Sequence, residues 1–349
     1  MKSLRLAAVL GALLLSGCSG GGEKGESTNK AAASEKPKSS ATTSSGGGAQ
    51  AKPEPPKDVD SKVVDALKKV TSCERKDGRL GECPAADEFR TLVREYEQDA
   101  KKRASSCLSM IADANSTIRE LAAECAGAGG AEDDSNAMNL VLTQLEAESG
   151  EDARVLLANT VNAIGLSKTG AADRVIALLQ KHKSEEGWAG VTRNLLDALT
   201  NVTPEPPAAA WDIAIELLKA PKGGSIKESA ADLVARVPSK SADGCKALLG
   251  LVETGSYPWG SGMDAMGRLG CKAESGALVT AVIKKMAEED GYDKGFKGAD
   301  FIYLQRYLEK VQLSKEDKDK LKKATDELSK KTKSDTVKQD CKKLTEKLG

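Results

Sequence analysis

The sequence predicts an all-α fold, an α-solenoid of helical hairpins that follows a disordered N-terminal tether. One helical pattern recurs between Asn115 and Cys271, and another apolar helix precedes each copy. Residues 19–58, in contrast, contain none of the large apolar side chains that a core needs. Two helices per unit at a regular period indicate a solenoid, because one hairpin cannot bury its apolar face alone.

The recurring pattern is clearest in the helix that starts near Ala153. Small or apolar residues stand three, four, seven and ten positions after Arg154, and Gly165 follows them. This spacing predicts one apolar helical face that ends at a C-terminal glycine. Five copies begin, in order, at Arg119, Arg154, Thr192, Lys227 and Trp259. They are 35, 38, 35 and 32 residues apart, and the alternative to a solenoid is an irregular helical bundle with accidental periodicity.

The second helix of each unit resembles the HEAT-repeat family, which commonly has Val-Arg-x-x-Ala-Ala there. The best local match is Ile-Arg-Glu-Leu-Ala-Ala at residues 118–123. Basic residues occupy the family's arginine position at Arg119, Arg154 and Lys227, but Thr192 and Trp259 depart from it. The resemblance implies HEAT-like repeats over residues 100–312.

The N-terminus resembles a bacterial lipoprotein signal. Lys2 and Arg5 precede an apolar run that ends in Leu-Ser-Gly-Cys at residues 15–18. The resemblance implies that residues 1–17 are a signal peptide and that Cys18 carries the lipid; an ordinary secretory signal is the alternative. Ser19 stands where aspartate would imply inner-membrane retention, so the resemblance favours the outer membrane of a bacterial cell envelope.

The mature chain divides into four parts. Residues 18–58 comprise the lipidated cysteine and a Gly-, Ser- and Pro-rich linker that should remain disordered because it has little apolar surface to bury. Residues 59–99 hold N-terminal helices, and residues 100–312 hold the repeats. Residues 313–349 form two sparsely apolar helices suited to capping the solenoid.

Seven cysteines remain besides Cys18, and export favours disulfides over metal sites. Connectivity stays open, but neighbouring positions in the predicted hairpins favour three pairs: Cys73–Cys83, Cys107–Cys125 and Cys245–Cys271. Cys341 is left over. It is either a free or intermolecular thiol, or a buried apolar residue on the stripe formed by residues 337, 341, 344 and 348.

Composition argues against several classes of function. The 52 basic and 52 acidic residues balance, which gives no reason to expect nucleic acid. The single histidine, His182, is flanked by lysines and is expected to face solvent. A Ser-His-Asp triad needs a positioned histidine, and zinc hydrolases usually need two or three, so we expect no enzyme, catalytic residue, cofactor or metal.

We therefore expect a membrane-anchored protein that binds an envelope protein through the repeat surface. The residues proposed to contact that partner are Arg119, Arg154, Lys227, Tyr257 and Trp259. The three basic residues have an alternative role in salt bridges between repeats, and the aromatic residues have one in filling the end of the solenoid. The alternative function is a structural spacer or envelope assembly factor without a ligand groove.

Overall fold

The computed structural model describes residues 53–76, 79–221, 223–255, 257–288 and 295–349, and it shows an all-α solenoid. The predicted signal peptide, Cys18 and most of the predicted linker lie outside these residues. The described helices are α1 Ser61–Lys69, α2 Pro84–Glu95, α3 Ala100–Leu108, α4 Ser116–Gly127, α5 Ser135–Ala147, α6 Glu151–Ile164, α7 Ala172–His182, α8 Ala189–Thr200, α9 Ala208–Lys219, α10 Gly224–Ala235, α11 Ser241–Glu253, α12 Trp259–Leu269, α13 Ser275–Ala287, α14 Ala299–Lys310, α15 Lys315–Lys331 and α16 Asp335–Leu348. Short 3₁₀ segments span Val70–Ser72, Tyr96–Asp99 and Pro238–Lys240.

Helices α3 to α16 alternate between two layers. The even-numbered second helices from α4 to α16 pack in one row, each against the next, and the odd-numbered first helices form the other row. The apolar stripes that define the repeats are buried between them, including the fully buried pairs Ala122–Ala123 and Ala230–Ala231. Among the described helices, none is both long and apolar enough to cross a bilayer.

The helix starts correct the predicted register at one repeat. Helices α4, α6, α8, α10 and α12 begin 35, 38, 35 and 35 residues apart. The first four predicted anchors lie three residues after these starts, whereas Trp259 is itself the first residue of α12. The matching residue is Gly262, and because glycine has no side chain, the sequence offers no basic residue to mark the register there.

Polar residues set the starts of several helices. Asn115 accepts hydrogen bonds from the backbone N–H groups of Thr117 and Ile118, and Asp134 does the same for α5. Asp60 precedes α1 and accepts from the backbone N–H of Lys62 at 2.9 Å. Its carboxylate also accepts from Tyr96 Oη at 2.9 Å and lies 3.1 Å from Lys102 Nζ. These bonds satisfy N–H groups that have no partner within their own helix.

The chain before α1 contacts the first-helix layer. Residues 53–58, which the sequence analysis assigned to the linker, lie along a groove of about 610 Å³ beside α3 and α5. The Asn136 side chain accepts from the backbone N–H of Glu54 at 2.8 Å and donates to its carbonyl oxygen at 2.9 Å. Prolines at 53, 55 and 56 reduce the entropy that this segment loses on ordering.

Three disulfides join the cysteine pairs that the hairpin geometry favoured. Cys73–Cys83 closes the loop that carries two short antiparallel strands, β1 Arg75–Lys76 and β2 Arg79–Leu80. Cys107–Cys125 joins α3 to α4, and Cys245–Cys271 joins α11 to the end of α12. Each bridge therefore links elements that are neighbours along the chain.

The C-terminal helices continue both layers, with α15 against α13 and α16 against α14. Cys341 lies in this part of the core and is unpaired among the described cysteines. Burial raises the pKa of its thiol to about 11, which keeps the sulfur protonated at neutral pH. The structure therefore favours the buried apolar role over the reactive thiol.

Removing the Cys245–Cys271 bridge should destabilise one part of the solenoid. For Cys245→Ser/Cys271→Ser we expect a loss of about 2–4 kcal/mol in the free energy of unfolding, because the disulfide restricts the unfolded chain. Amide hydrogen exchange should accelerate mainly in α9 to α14, since each repeat contacts only its neighbours. Denaturant unfolding and exchange mass spectrometry would measure both effects. Uniform acceleration from α4 to α16 would contradict this local coupling.

Candidate partner-binding surface

Arg119 connects two repeats and has little capacity left for a partner. Its Nε and Nη2 donate to the carboxylate of Glu148 at 2.6 and 2.9 Å, and Nη1 donates to the carbonyl oxygens of Asp113 and Ala114. Glu148 lies between α5 and α6 of the next repeat. Arg119 therefore takes the alternative role that the sequence left open, a salt bridge between repeats.

Glu148 is ionised although it is only 6 % exposed. Burial alone would raise its pKa, but hydrogen bonds from Arg119, the Gly150 N–H and Gln144 lower the pKa to about 2. A buried charge needs such partners because the protein interior solvates it poorly. The pair therefore fixes the position of the loop that leads into α6.

Arg154 has an equivalent role in the following repeat. Its guanidinium carbon lies 5.2 Å from the centre of the buried Trp188 ring, and Nη2 is 3.5 Å from the Gly187 carbonyl oxygen. His182 stacks on the same indole with centroids 3.8 Å apart. The prediction that His182 faces solvent is wrong: its side chain is 13 % exposed, because Trp188 returns from the next loop to cover it.

Trp259 does not lie on the surface. It is 6 % exposed, and its ring makes an edge contact with Phe296 at a centroid distance of 5.8 Å. The structural alternative for the aromatic residues therefore applies to Trp259, which packs inside the last repeats. Trp259 is thus buried at the first residue of α12, whereas Tyr257, two residues before it, is exposed.

Tyr257 is the exposed aromatic residue of this region. Its exposed fraction is 69 %, yet its hydroxyl donates to Glu228 Oε2 at 2.8 Å. The ring lies against the first turn of α10, where a β-carbon at Gly224 would come within 2.8 Å of its Cδ1. Partial burial and the bond to Glu228 raise the pKa of Tyr257, while the charge of Arg193 acts in the opposite direction. The ring is thus held at both ends while one face remains open.

The row of second helices α8, α10, α12 and α14 carries further polar and aromatic side chains at or near this ring. We call this region the Tyr257 surface and define it by Arg193, Lys227, Glu228, Tyr257, Ser261, Tyr303 and Arg306. Ser261 Oγ lies 3.3 Å from Glu228 Oε1, and Tyr303 packs on Gly260. Arg306 lies 6.0 Å from the Tyr303 ring centre. Exposed aromatic and arginine side chains of this kind carry much of the binding energy in protein interfaces.

Other charges on the second helices are paired within the protein. Arg90 binds both carboxylate oxygens of Glu124 at 3.0 Å, and Arg268 pairs with Asp232 and Asp264. The Arg90–Glu124 and Arg268–Asp232 pairs join neighbouring helices, whereas the Arg268–Asp264 pair lies within α12. They stabilise the stack and leave fewer charges for a partner.

A cavity of about 560 Å³ lies beside the Arg119–Glu148 pair. Its lining includes Arg75, whose Nη1 is 2.7 Å from Glu120 Oε2 and whose Nη2 is 3.9 Å from Asp152 Oδ2. Five charged residues of the lining are therefore engaged in internal ion pairs, namely Arg75, Arg119, Glu120, Glu148 and Asp152. Elsewhere, Cys245, Cys271 and Glu274 bring potential metal ligands together, but both sulfurs are in a disulfide and cannot act as thiolates.

Of the Tyr257 surface, Lys227 and Tyr257 were predicted from the sequence, whereas Arg193, Glu228, Tyr303 and Arg306 were not, and neither was Ser261. Arg193 directly follows the anchor Thr192, and Glu228 directly follows the anchor Lys227. Each of these two residues therefore lies one position after a residue that the repeat pattern had marked. No single-residue signal distinguishes these four from the paired charges nearby. Only the packing of α8, α10, α12 and α14 side by side brings them together.

Comparisons with known proteins do not assign this chain to a family. No protein-family model matches the chain, and no curated protein does. Among solved structures, it is similar to the crystal structure of an engineered protein, with 14 % identity and a TM-score of 0.42 over 82 % of this chain and 78 % of that one. A likeness at this level supports no conclusion about function.

Removing the charge of Glu148 should destabilise the solenoid in a pH-dependent manner. Its folded pKa of about 2 lies below the ordinary value, so ionised Glu148 stabilises the protein above about pH 4.5 and this contribution is lost as the pH falls toward 2. Glu148→Gln should lower the free energy of unfolding by about 2–3 kcal/mol at pH 7.

Urea unfolding of the parent protein and of Glu148→Gln from pH 7 to pH 2 would measure the difference between their free energies of unfolding. This difference should become smaller below about pH 4.5. The matched control is Glu146→Gln, because Glu146 pairs with Arg174 at a more exposed position in the last turn of α5, two residues before Glu148. It should change stability by less than about 1 kcal/mol. A Glu148→Gln difference that is equal at pH 7 and pH 2 would show that the carboxylate charge is not its source.

Proposed function

We propose that the protein is a lipid-anchored scaffold of the bacterial cell envelope that binds a partner protein through the Tyr257 surface. The observation that carries this proposal is the ring of Tyr257, exposed over 69 % of its area and held by Glu228 and Gly224. A rigid aromatic side chain loses little conformational entropy on binding.

The anchor part of the proposal rests on the N-terminal sequence. The basic start, apolar run and Leu-Ser-Gly-Cys pattern support lipidation of Cys18, with the outer membrane favoured by Ser19. The three disulfides are compatible with this address, because such bonds persist in oxidising compartments. The linker then holds the solenoid at a distance from the membrane.

A structural spacer is the second candidate. The observation that favours it is the extent of internal pairing, in which Arg119, Arg268 and Arg90 each bind acids of a neighbouring element. A spacer needs a stable stack and a surface that attracts no partner. The two functions differ in whether Tyr257 makes a specific contact in the cell.

Photo-crosslinking in intact cells should distinguish them. With p-benzoylphenylalanine in place of Tyr257, we expect one recurring crosslinked protein, because the ring faces the partner. The control places the same residue at Lys246, which is exposed on α11 in the first-helix layer. The same products from both positions, or none from position 257, would contradict the binding function and favour the spacer.

Lipidation is tested by Cys18→Ala. This variant should lose membrane association, because two acyl chains or more are needed for stable anchoring and the thiol is their attachment site. Fractionation of cells with detergent-phase partitioning would measure the change. Membrane association equal to that of the parent protein would exclude Cys18 as the anchor.

A further inference from the structure

Residues 53–58, which we call the strap, lie against the first-helix layer and are held there by Asn136. The Asn136 side chain accepts from the backbone N–H of Glu54 at 2.8 Å and donates to the carbonyl oxygen of the same residue at 2.9 Å. A carboxamide has both an acceptor and a donor, so it can pair with both polar groups of one peptide residue. The Glu54 side chain is exposed instead and pairs with Lys57 of the strap itself.

The burial of the strap repeats every three residues. Pro53 and Pro56 are half-buried, whereas Glu54 and Pro55 between them are exposed. Three residues per turn is the period of a polyproline II helix, in which every third side chain lies on the same face. Proline favours this conformation and also restricts the residue before it to extended backbone. The two half-buried prolines therefore face the solenoid, and the residues between them face solvent.

The helices beneath the strap form a groove with apolar side chains at its base. We call it the α3–α5 groove, and its lining includes Leu108 of α3 and Ala137, Asn139 and Leu140 of α5. Leu108 and Ala137 are buried. A volume of about 610 Å³ bounded by these helices and the strap is unfilled. The strap is thus packed less densely than a protein core, and it can leave the groove without opening the solenoid.

A separate set of contacts holds the chain after the strap. Asp60 donates its backbone N–H to Ser106 Oγ at 2.7 Å, and its carboxylate accepts from Tyr96 Oη at 2.9 Å. Between Asn136 and these contacts the backbone bends at Asp58, which has a φ of 66°. Aspartate is one of the few residues besides glycine that adopt this region readily. The strap and Asp60 are therefore held independently.

We propose that the α3–α5 groove is a binding site for an extended Pro-x-Pro-Pro segment, and that the strap occupies it as a releasable ligand of the same chain. Residue x must carry a backbone N–H to donate to Asn136, which excludes proline, whereas its side chain is not recognised. Docking places Pro53 beside α5, so the predicted linker joins the solenoid at the first-helix layer. Release moves that junction to Asp60. This site is distinct from the Tyr257 surface and does not depend on the proposed function.

Two substitutions of Glu54 separate backbone recognition from side-chain recognition. In the full-length protein, Glu54→Pro removes the N–H that donates to Asn136 and should release the strap, whereas Glu54→Ala keeps this group and should leave the strap docked. Trypsin cleavage after Lys57, followed by mass spectrometry, measures release. We expect cleavage to be at least about fivefold faster in Glu54→Pro and to stay within about twofold in Glu54→Ala, because a protease needs a locally detached segment.

A substitution in the groove tests the same contact without altering the cleaved segment. Asn136→Ala should accelerate cleavage as Glu54→Pro does, whereas the matched control Asn139→Ala, three residues further along α5, should not. Hydrogen exchange provides a second readout. In Asn136→Ala the Glu54 amide should exchange at least about tenfold faster, while the Asp60 amide, which is bonded to Ser106, should keep its protection.

Three results would overturn the proposal. Faster cleavage in Glu54→Ala would show that the side chain is the recognised group, and unchanged cleavage in Asn136→Ala would show that Asn136 does not hold the strap. Equal loss of protection at Glu54 and Asp60 would show that the strap does not detach independently of the chain that follows it. Lipidation and crosslinking at position 257 are measured separately, so none of these results bears on the proposed function.

Discussion

The fold depends on the close packing of second helices in one row. No single hairpin has another surface on which to bury its apolar face, so each second helix must contact the next along much of its length. Small residues make that approach possible: a β-carbon at Gly190 would lie 2.8 Å from Val155 Cγ2, and one at Gly267 would lie 2.9 Å from the Tyr307 Cα. Between α4 and α6, the buried Thr160 hydroxyl donates to the carbonyl oxygen of Ala123.

This packing determines which polar groups are used internally. The residue three positions after the first residue of a second helix lies beside the loop of the following repeat. At this position Arg119 binds Glu148, and Arg154 packs on Trp188. Disulfides reinforce neighbouring elements at three places along the stack. Stability is therefore distributed over local contacts between adjacent repeats.

The Tyr257 surface arises where this arrangement changes. The loop before α12 carries a tyrosine and no acid, so Lys227 lacks the partner that Arg119 has. Gly224 allows the Tyr257 ring to lie flat on α10, and Gly260 allows Tyr303 to do the same on α12. Because glycine has no β-carbon, the two aromatic rings can pack directly on the helix backbone at these two positions. The proposed interface is thus a consequence of how two repeats differ from the others.

The sequence by itself determined the helical class, the period and the buried faces, and it favoured three cysteine pairs without fixing their connectivity. These features depend on residues that are near one another along the chain, either on one helix face or in one hairpin. The anchor of the fifth copy was placed at Trp259, three residues before the equivalent Gly262, because Gly262 carries no side chain to mark the register. Only the tertiary structure decided which charges are paired and which aromatic rings are exposed. Arg119 and Glu148 stand 29 residues apart, and the opposite exposures of Tyr257 and Trp259 follow from the packing of α10, α12 and α14.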